Sequence, residues 1–304
     1  MMYSPHMLLV LGGSGFLGPA LRKAKGAEEL VFTHHAHAAP GSHAFDVRHS
    51  SVADLLRVTG GRPSAALILA GVTNIDACAR DPLLTGKINV DGIVRVIREL
   101  RALGILPVFT SSDAVFDGTH ACWREDEEVH PILTYGRQKL AVESYLAGLP
   151  LPWLAVRLPK LISAARNSRC MLTGWVEALG RSERIPCATD QYFTPADAGD
   201  VAEGILKLVS AGATGLHHLG GPQRLSRCEL LEEVLDEYRK YSTPRAQIVE
   251  CSLRDIPVLE PRPLDVSMDS TRYTSRFGRT IRPASEIARL AVRDCFWNME
   301  VRGV

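Results

Sequence analysis

The sequence predicts an α/β protein whose larger domain is built on a doubly wound parallel sheet. Two observations lead to this prediction. Short apolar runs of strand length alternate with segments of helical periodicity in the first half of the chain, and a glycine-rich segment at residues 12–18 follows the first run. Strands separated by helices in this way form parallel βαβ units. At 304 residues the chain can hold one large α/β domain or a larger domain that carries a smaller one.

The elements follow from the local patterns. Strands are expected at the apolar runs 7–11, 30–33, 65–69, 106–110 and 153–156. Ser51 and Asp54 predict a capped helix start, and apolar residues repeat at helical spacing between residues 90 and 97. In the second half, Thr194 is expected to cap a helix that ends near residue 210, and Ser226 to cap another. A last helix is expected over about residues 284–292.

The composition points to a small-molecule partner. The 35 Lys and Arg residues nearly balance 34 Asp and Glu residues, so no basic surface for nucleic acid or an anionic membrane is expected. The seven cysteines are scattered without a C-x-x-C pair, which is typical of reduced thiols in a cytoplasmic protein. The first six residues are too short for a signal peptide, and the run 7–11 has strand length. We therefore expect a soluble, cytoplasmic protein.

The glycine-rich segment predicts a dinucleotide site. Gly12, Gly15 and Gly18 come directly after the first predicted strand and open a helix. Glycines in this context permit a tight turn and let backbone N–H groups approach a pyrophosphate, although an ordinary strand-to-helix turn would also use them. The predicted cofactor contacts in this loop also include Ser14, Phe16 and Leu17.

The end of the second strand favours NADP(H) over NAD(H). No Asp or Glu stands where a carboxylate would bind the ribose 2′-hydroxyl, so nothing there repels a 2′-phosphate. His34 and His35 are candidate phosphate ligands in a histidine-rich loop that also holds His37 and His43, although a solvated loop would have the same composition. We predict no metal site. Asp46, followed by Val47, is a candidate adenine contact or a surface turn.

Tyr135 and Lys139 lie four residues apart, on one face of a helix. The ammonium is expected to lower the pKa of the phenol toward neutrality, which suits proton transfer in carbonyl chemistry. Ser112 is predicted just past a strand, at the carboxyl edge of the sheet, where its hydroxyl can bind a substrate carbonyl. Thr110 ends that strand and is a predicted cofactor contact. Asn89 is either part of a proton relay or a surface amide of its helix.

At these residues the sequence resembles the extended short-chain dehydrogenase/reductase superfamily, and within it the dTDP-4-dehydrorhamnose reductase group. The matching segments cover most of the chain and are residues 12–18, 70–78, 89–90, 111–118, 135–140, 200–202 and 262–263. The resemblance implies a Rossmann domain over residues 1–157, with 196–220 packing back onto it, and a mainly substrate-binding domain over 158–304. It assigns catalytic roles to Ser112, Tyr135 and Lys139, and gives Lys139 the nicotinamide ribose. It also places Ala70, Gly71 and Val72 along the cofactor.

The residues after Ser112 bear on the reaction. Superfamily dehydratases carry an Asp-Glu pair there, whereas this chain has Asp113 and Ala114, so the resemblance disfavours dehydration. Simple reductases usually carry an aromatic residue at the Ala114 position, and rhamnose-pathway members a tryptophan near Lys160, so the sugar stays open. The predicted substrate contacts are Ser112, Asp113, Ala114, Lys160, Gln191 and Arg262. The Arg262 guanidinium suits a diphosphate, with a surface salt bridge as the alternative.

These observations predict an NADP(H)-dependent reductase of a nucleotide-diphosphate 4-keto-6-deoxysugar. Hydride would pass to the ketone carbon while Tyr135 donates a proton to the oxygen. One alternative is a nucleotide-sugar epimerase that retains and recycles its cofactor. Another is a regulatory subunit, because the same motifs resemble the beta subunit of methionine adenosyltransferase. The expected partners are a nucleotide sugar and a second copy of the chain in a homodimer.

Overall fold

The computed structural model describes residues 7–24, 29–165, 168–278 and 281–300, without the side chains of residues 29 and 298–300. Two compact units divide the chain. The first contains Met1–Val115, Val129–Arg157 and Ala202–His217, and the second contains Phe116–Glu128, Leu158–Val201 and His218–Val304. Residues 116–128 thus group with the second unit, although the sequence predicted them within a Rossmann domain at residues 1–157.

The regular elements follow one another in α/β order. As far as Ala147 they are β1 Met7–Leu11, α1 Gly18–Lys23, β2 Glu29–His34, β3 Ser42–Ala44, α2 Val52–Thr59, β4 Ala65–Ile68, α3 Ile75–Arg80, α4 Pro82–Gly86, a π-helical segment Lys87–Gly92, α5 Ile93–Ala102, β5 Leu106–Ser112, a 3-10 helix Asp113–Val115, and α6 Thr134–Ala147. The rest are β6 Leu154–Leu158, β7 Leu161–Ile162, α7 Met171–Leu179, β8 Arg184–Ala188, β9 Tyr192–Phe193, β10 Ala196–Asp197, α8 Ala198–Ser210, β11 Gly215–His218, β12 Leu225–Ser226, α9 Arg227–Tyr238, β13 Gln247–Cys251, a 3-10 helix Leu253–Asp255, α10 Thr271–Phe277 and α11 Ala284–Glu300.

A seven-stranded sheet in the order β11-β6-β5-β4-β1-β2-β3 forms the first unit. The pairings of β1 with β2 and β4, of β2 with β3, and of β4 with β5 are parallel. The chain runs outward from β1 to β3 and then returns to β4 on the other side of β1. This reversal creates a switch point between β1 and β4, where open α/β sheets bind ligands at the carboxyl ends of their strands. The predicted doubly wound sheet is confirmed.

The core of the first unit explains why this sheet forms. On one face, the strand residues Leu9, Leu11, Ile68 and Phe109 share a buried apolar cluster with helix residues from α2, α5 and α6. The helix residues include Val52, Leu55, Val96, Ile97, Val142 and Leu146. On the alternate positions, Leu8, Val10, Leu67 and Val108 are buried as well. Strands that bury both faces require helices on both sides, which is the architecture of a doubly wound domain. None of the helices within the described ranges is both long and apolar enough to cross a bilayer.

The second unit contains small sheets and helices. Strand β8 pairs in parallel with β13, and β9 pairs in antiparallel fashion with β12. Helices α7, α9 and α11 pack against one another through buried apolar residues such as Trp175, Val234 and Ile287. The predicted cap at Ser226 is confirmed, because its hydroxyl accepts the N–H of Glu229 at 3.1 Å and the Glu229 carboxylate accepts the N–H of Ser226 in return.

Two predicted boundaries are wrong. Helix α8 begins at Ala198, and its start is capped by Asp197, whose Oδ1 accepts the N–H groups of Gly199 and Asp200. Thr194, the predicted cap, instead accepts the N–H of Met268 at 3.1 Å. The short strand β10 delays the helix, because its residues are extended. Helix α11 also runs eight residues past the predicted end at residue 292, to Glu300.

Candidate active site

The glycine loop lies at the switch point of the sheet. Gly12 directly follows β1 with a φ of +85°, and a Cβ atom there would lie 2.6 Å from the backbone nitrogen of Ala70. At Gly18, the first residue of α1, a Cβ would lie 1.9 Å from the carbonyl oxygen of Gly13. No side chain fits at either position, because Gly12 packs against the backbone of Ala70 and Gly18 against the backbone of Gly13. Its crest, Ser14 to Phe16, is exposed, so backbone N–H groups there can be reached by a pyrophosphate.

His35, Asp46 and Arg48 form a side-chain cluster just after the ends of β2 and β3. The guanidinium of Arg48 forks onto Asp46, with Nε 3.0 Å from Oδ1 and Nη2 2.6 Å from Oδ2. These bonds hold the pKa of the Asp46 carboxyl well below its usual range. The Nε2 atom of His35 lies 3.3 Å from the same carboxylate. The structure thus brings together His35 and Asp46, the predicted phosphate and adenine contacts, and it adds Arg48, which the sequence analysis did not single out.

The other predicted residues of this region have local partners. His34 shares a 2.7 Å hydrogen bond with the Ser42 hydroxyl. Val47 is buried in the core, and its carbonyl accepts two hydrogen bonds from Arg95. Within the described residues, no group of three or more His, Cys, Asp or Glu side chains is arranged to hold a metal ion.

The loop after β4 is clamped by Asn89. Its Oδ1 accepts the N–H of Val72 at 2.7 Å, and its Nδ2 donates to the Val72 carbonyl at 2.9 Å. Gly71 has a φ of +154°, and a Cβ there would lie 2.9 Å from Asn89 Oδ1. Nδ2 also donates to Gln138 Oε1 at 2.7 Å, which uses its second hydrogen. Asn89 is therefore a buried side chain that holds the backbone of Val72, and not the surface amide that was one of the two predictions. Both hydrogens of its amide are already used in hydrogen bonds, so neither is left for a proton relay.

Ser112 is the last residue of β5, two positions later than the predicted strand end at Thr110. Its hydroxyl donates to Asp113 Oδ1 at 3.0 Å, accepts the N–H of Ala114 at 3.2 Å, and is hydrogen-bonded to the Tyr135 hydroxyl. Gly136 makes this contact possible, because a Cβ there would lie 2.0 Å from the carbonyl oxygen of Ala114. Ser112 and Tyr135 are thus brought together at the carboxyl edge of the sheet, as the sequence predicted.

Lys139 lies one helical turn after Tyr135 and is buried. Its Nζ donates to the carbonyl of Thr110 at 2.8 Å and lies 4.7 Å from the centroid of the Phe109 ring. Burial lowers the pKa of Lys139 to about 8, and the carboxylate of Glu143 opposes this effect. Thr110 itself donates to the Ile68 carbonyl at 2.8 Å, so its hydroxyl ties β5 to β4.

The expected effect of Lys139 on Tyr135 is wrong. Lys139 Nζ lies 5.6 Å from the centroid of the Tyr135 ring and donates its hydrogen bond to the Thr110 carbonyl instead. Tyr135 is only 8% exposed, and burial raises the pKa of its phenol, with the Asp113 carboxylate and Cys78 adding to the rise. Desolvation of the phenolate exceeds the stabilisation that the distant ammonium supplies. Tyr135 is therefore a neutral phenol, ready to donate its proton.

The predicted substrate residues Lys160, Gln191 and Arg262 belong to the second unit. Lys160 is exposed, and its carbonyl accepts the N–H of Ala196. Gln191 and Arg262 are half-buried, and the Gln191 carbonyl accepts the N–H of Arg227. Asp113 and Ala114 lie in the first unit beside Ser112, and the Ala114 side chain is buried.

A parallel sheet with a glycine loop at its switch point and a Ser, Tyr and Lys set at its carboxyl edge defines an oxidoreductase of the short-chain dehydrogenase/reductase type. The model of the family described as RmlD substrate binding domain matches residues 6–300. The chain belongs to this family.

Three relatives illustrate its range. The probable low-salt glycan biosynthesis reductase Agl14 of Haloferax volcanii is 30% identical over 207 residues, which is 65% of this chain and 68% of that protein. The dTDP-4-dehydrorhamnose reductase of Sinorhizobium fredii is 23% identical over 89% of this chain and 91% of its own length. The methionine adenosyltransferase 2 subunit beta of Xenopus laevis is 23% identical over 87% of this chain and 80% of its own length.

Among solved structures, the dTDP-4-dehydrorhamnose reductase of Bacillus anthracis, in complex with NADP, superimposes with a TM-score of 0.79. The match covers 98% of this chain and 100% of that one at 20% identity. It shows that the two chains share their fold.

Proposed function

We propose that the protein is an NADP(H)-dependent reductase of a nucleotide-diphosphate 4-keto-6-deoxysugar. The observation that carries the proposal is the neutral, buried phenol of Tyr135, hydrogen-bonded to Ser112 and followed one turn later by Lys139. A ketone reduction needs a proton donor at the oxygen that becomes an alkoxide, and a phenol with a raised pKa is fully protonated at neutral pH. The named reductases among the relatives support the same class of reaction.

The glycine loop fits a dinucleotide. The space that a Cβ at Gly12 or Gly18 would fill is taken by backbone, so the loop presents N–H groups at the end of β1. The relative whose structure holds NADP shares this fold. When bound, the cofactor would supply the hydride for the ketone carbon.

The chain's own residues would handle the substrate oxygen. Ser112 would hydrogen-bond the carbonyl oxygen and hold it beside the Tyr135 hydroxyl, and Tyr135 would give its proton to that oxygen as negative charge develops. Lys139, held by the Thr110 carbonyl, would bind the nicotinamide ribose as an ammonium. Ala114 stands where a dehydratase would need a second acid, and its buried methyl group supports reduction without loss of water.

The preference for NADP(H) over NAD(H) is part of the proposal. Arg48 offers positive charge and His35 an imidazole near the ends of β2 and β3, and the Arg48 fork neutralises Asp46, the one carboxylate of that cluster. A 2′-phosphate would meet two donors there instead of a free carboxylate.

The test is a panel of nucleotide 4-keto sugars offered with NADPH and with NADH, with cofactor oxidation and product configuration as readouts. Tyr135→Phe should lower kcat by roughly a hundredfold or more. Tyr145→Phe, on the same helix but beside Arg98, is the matched control and should keep the wild-type rate. A wild-type rate in Tyr135→Phe would overturn the mechanism. Product formation without net cofactor oxidation would favour an epimerase.

A second candidate is a regulatory subunit, which the likeness to methionine adenosyltransferase 2 subunit beta favours. It would bind the cofactor through the same loop without turning over a sugar. Co-purification with a methionine adenosyltransferase, together with failure to oxidise NADPH with any sugar of the panel, would decide for this function.

A further inference from the structure

Glu143 and Arg157 form a buried ion pair beneath the candidate active site. The Nε of Arg157, on β6, lies 3.1 Å from Glu143 Oε1, and its Nη2 lies 2.8 Å from Oε2. The two side chains are only 3% and 8% exposed. Such pairs lose so much hydration energy on burial that apolar residues often replace them without loss of stability. Stability alone therefore does not explain this pair.

Its position suggests that role. Glu143 follows Lys139 by one turn of α6, so both side chains lie on the same buried face of the helix. The fork of Arg157 holds the Glu143 carboxylate in place, because the planar guanidinium binds both of its oxygens. A fixed negative charge therefore stands one turn from the buried ammonium.

The other surroundings of Lys139 are largely neutral. Lys139 Nζ donates a hydrogen bond to the Thr110 carbonyl and lies over the Phe109 ring. Tyr135 is protonated, and Asp113, in the 3-10 helix before α6, acts on Tyr135. Cys78, on α3, favours the charged lysine, as Glu143 does. Burial lowers the pKa of Lys139, and Glu143 is the largest of the few groups that oppose this effect and favour the ammonium.

We propose that Glu143, held by Arg157, is a positioning residue that keeps Lys139 a cation in the active site. It touches neither cofactor nor substrate and acts through Lys139. The value of a cation there rests on the proposed function, in which Lys139 binds the nicotinamide ribose. The protonation of Lys139 itself can be measured without any turnover.

The test follows the Lys139 ammonium by NMR of the protein labelled with 13Cε-lysine. The chain has seven lysines, so the spectrum is sparse, and Lys139→Met identifies the signal. In wild type the signal should titrate near pH 8. In Glu143→Gln its midpoint should be at least about half a pH unit lower, because the opposing charge is gone. Glu143→Asp retains the charge and should titrate closer to wild type.

Glu203→Gln is the matched control, because it removes an exposed carboxylate from α8 in the same unit and should leave the Lys139 signal in place. A folded Glu143→Gln protein whose Lys139 titrates as in wild type would overturn the proposal. If Glu143→Gln does not fold, Glu143→Gln/Arg157→Gln leaves no unpaired buried charge and must show the same lowered midpoint. Failure of the wild type to reduce any keto sugar would count against the proposed function and leave this result standing.

Discussion

Asn89 Nδ2 donates a 2.7 Å hydrogen bond to Gln138 Oε1. Gln138 lies on α6 between Tyr135 and Lys139, and Asn89 holds both backbone groups of Val72. The other end of the Gln138 amide donates to the Thr85 hydroxyl at 2.9 Å. One buried chain of hydrogen bonds thus ties the proposed catalytic helix to the loop expected along the cofactor.

Gln138→Ala should weaken cofactor binding. The substitution leaves the Asn89 amide with an unsatisfied buried hydrogen, which costs about 1–3 kcal/mol and loosens residues 70–72. We expect the Kd for NADPH to rise by roughly five- to a hundredfold, measured by the quenching of protein fluorescence. Ser144→Ala, at an exposed position of α6, should leave the Kd unchanged. A lower Tm with a wild-type Kd would show that the hydrogen-bond chain serves stability alone.

Gly18→Ala should disrupt the cofactor loop. The new methyl group would lie 1.9 Å from the Gly13 carbonyl oxygen, so the loop must move and its N–H groups lose their arrangement. We expect loss of NADPH binding by isothermal titration, together with a lower Tm.

Gly174→Ala is the contrasting variant. Gly174 lies in α7 with open space around its Cβ position, so alanine should raise the free energy of unfolding by about 0.5–1 kcal/mol. Equal effects of the two substitutions would contradict the packing argument at Gly18.

Arg48→Ala should shift the cofactor preference toward NADH. It removes a guanidinium that can reach a 2′-phosphate, and it also frees the Asp46 carboxylate to repel that phosphate. We expect the Kd for NADPH to rise by about tenfold or more, while the Kd for NADH changes little. His35→Ala should change the ratio in the same direction by less, because its ring is 63% exposed. An unchanged ratio in Arg48→Ala would place the determinant of preference elsewhere.

The sheet could be predicted from the sequence because its signals are local. Strand-length apolar runs and the glycine pattern specify the β1 to α1 turn without reference to distant residues. The start of α8 could not be predicted in this way, because Thr194 has the pattern of a cap but its hydroxyl is taken by Met268, 74 residues away. A long-range hydrogen bond of this kind leaves no trace in local spacing.

The candidate site, like the fold, could be predicted only where its features depend on local sequence. The proximity of Ser112 and Tyr135 could be inferred, since one ends a strand and the other begins the next helix. The sign of the pKa shift at Tyr135 could not, because it depends on burial, and four-residue spacing says nothing about the direction in which Lys139 points. Arg48 was missed because its fork onto Asp46 depends on the turn after β3, although a basic residue two positions after that acid was a usable signal.

Between pH 8 and pH 10, changes in stability and in kcat/KM should arise from the titration of Lys139 rather than of Tyr135. The folded-state pKa of Lys139 is about 8, below its ordinary value of 10.5, so between these pH values the unfolded chain binds the proton that the folded protein has released. The contribution of Lys139 to the free energy of unfolding is therefore unfavourable below pH 8 and rises as the pH increases toward 10. Lys139→Met removes this slope, so the difference in Tm between variant and wild type should shrink from pH 8 to pH 10.

Over the same range kcat/KM for the wild type should fall as the ammonium is lost, whereas the phenol of Tyr135 stays protonated because burial raises its pKa above 10. Ultraviolet spectra of folded wild type and folded Tyr135→Phe should accordingly show the same phenolate absorbance near pH 10, because Tyr135 contributes no phenolate there. The opposite result would be a phenolate absorbance that appears in wild type but not in Tyr135→Phe, at the same pH at which activity is lost. That result would assign the pH dependence to Tyr135 and refute the assignment to Lys139.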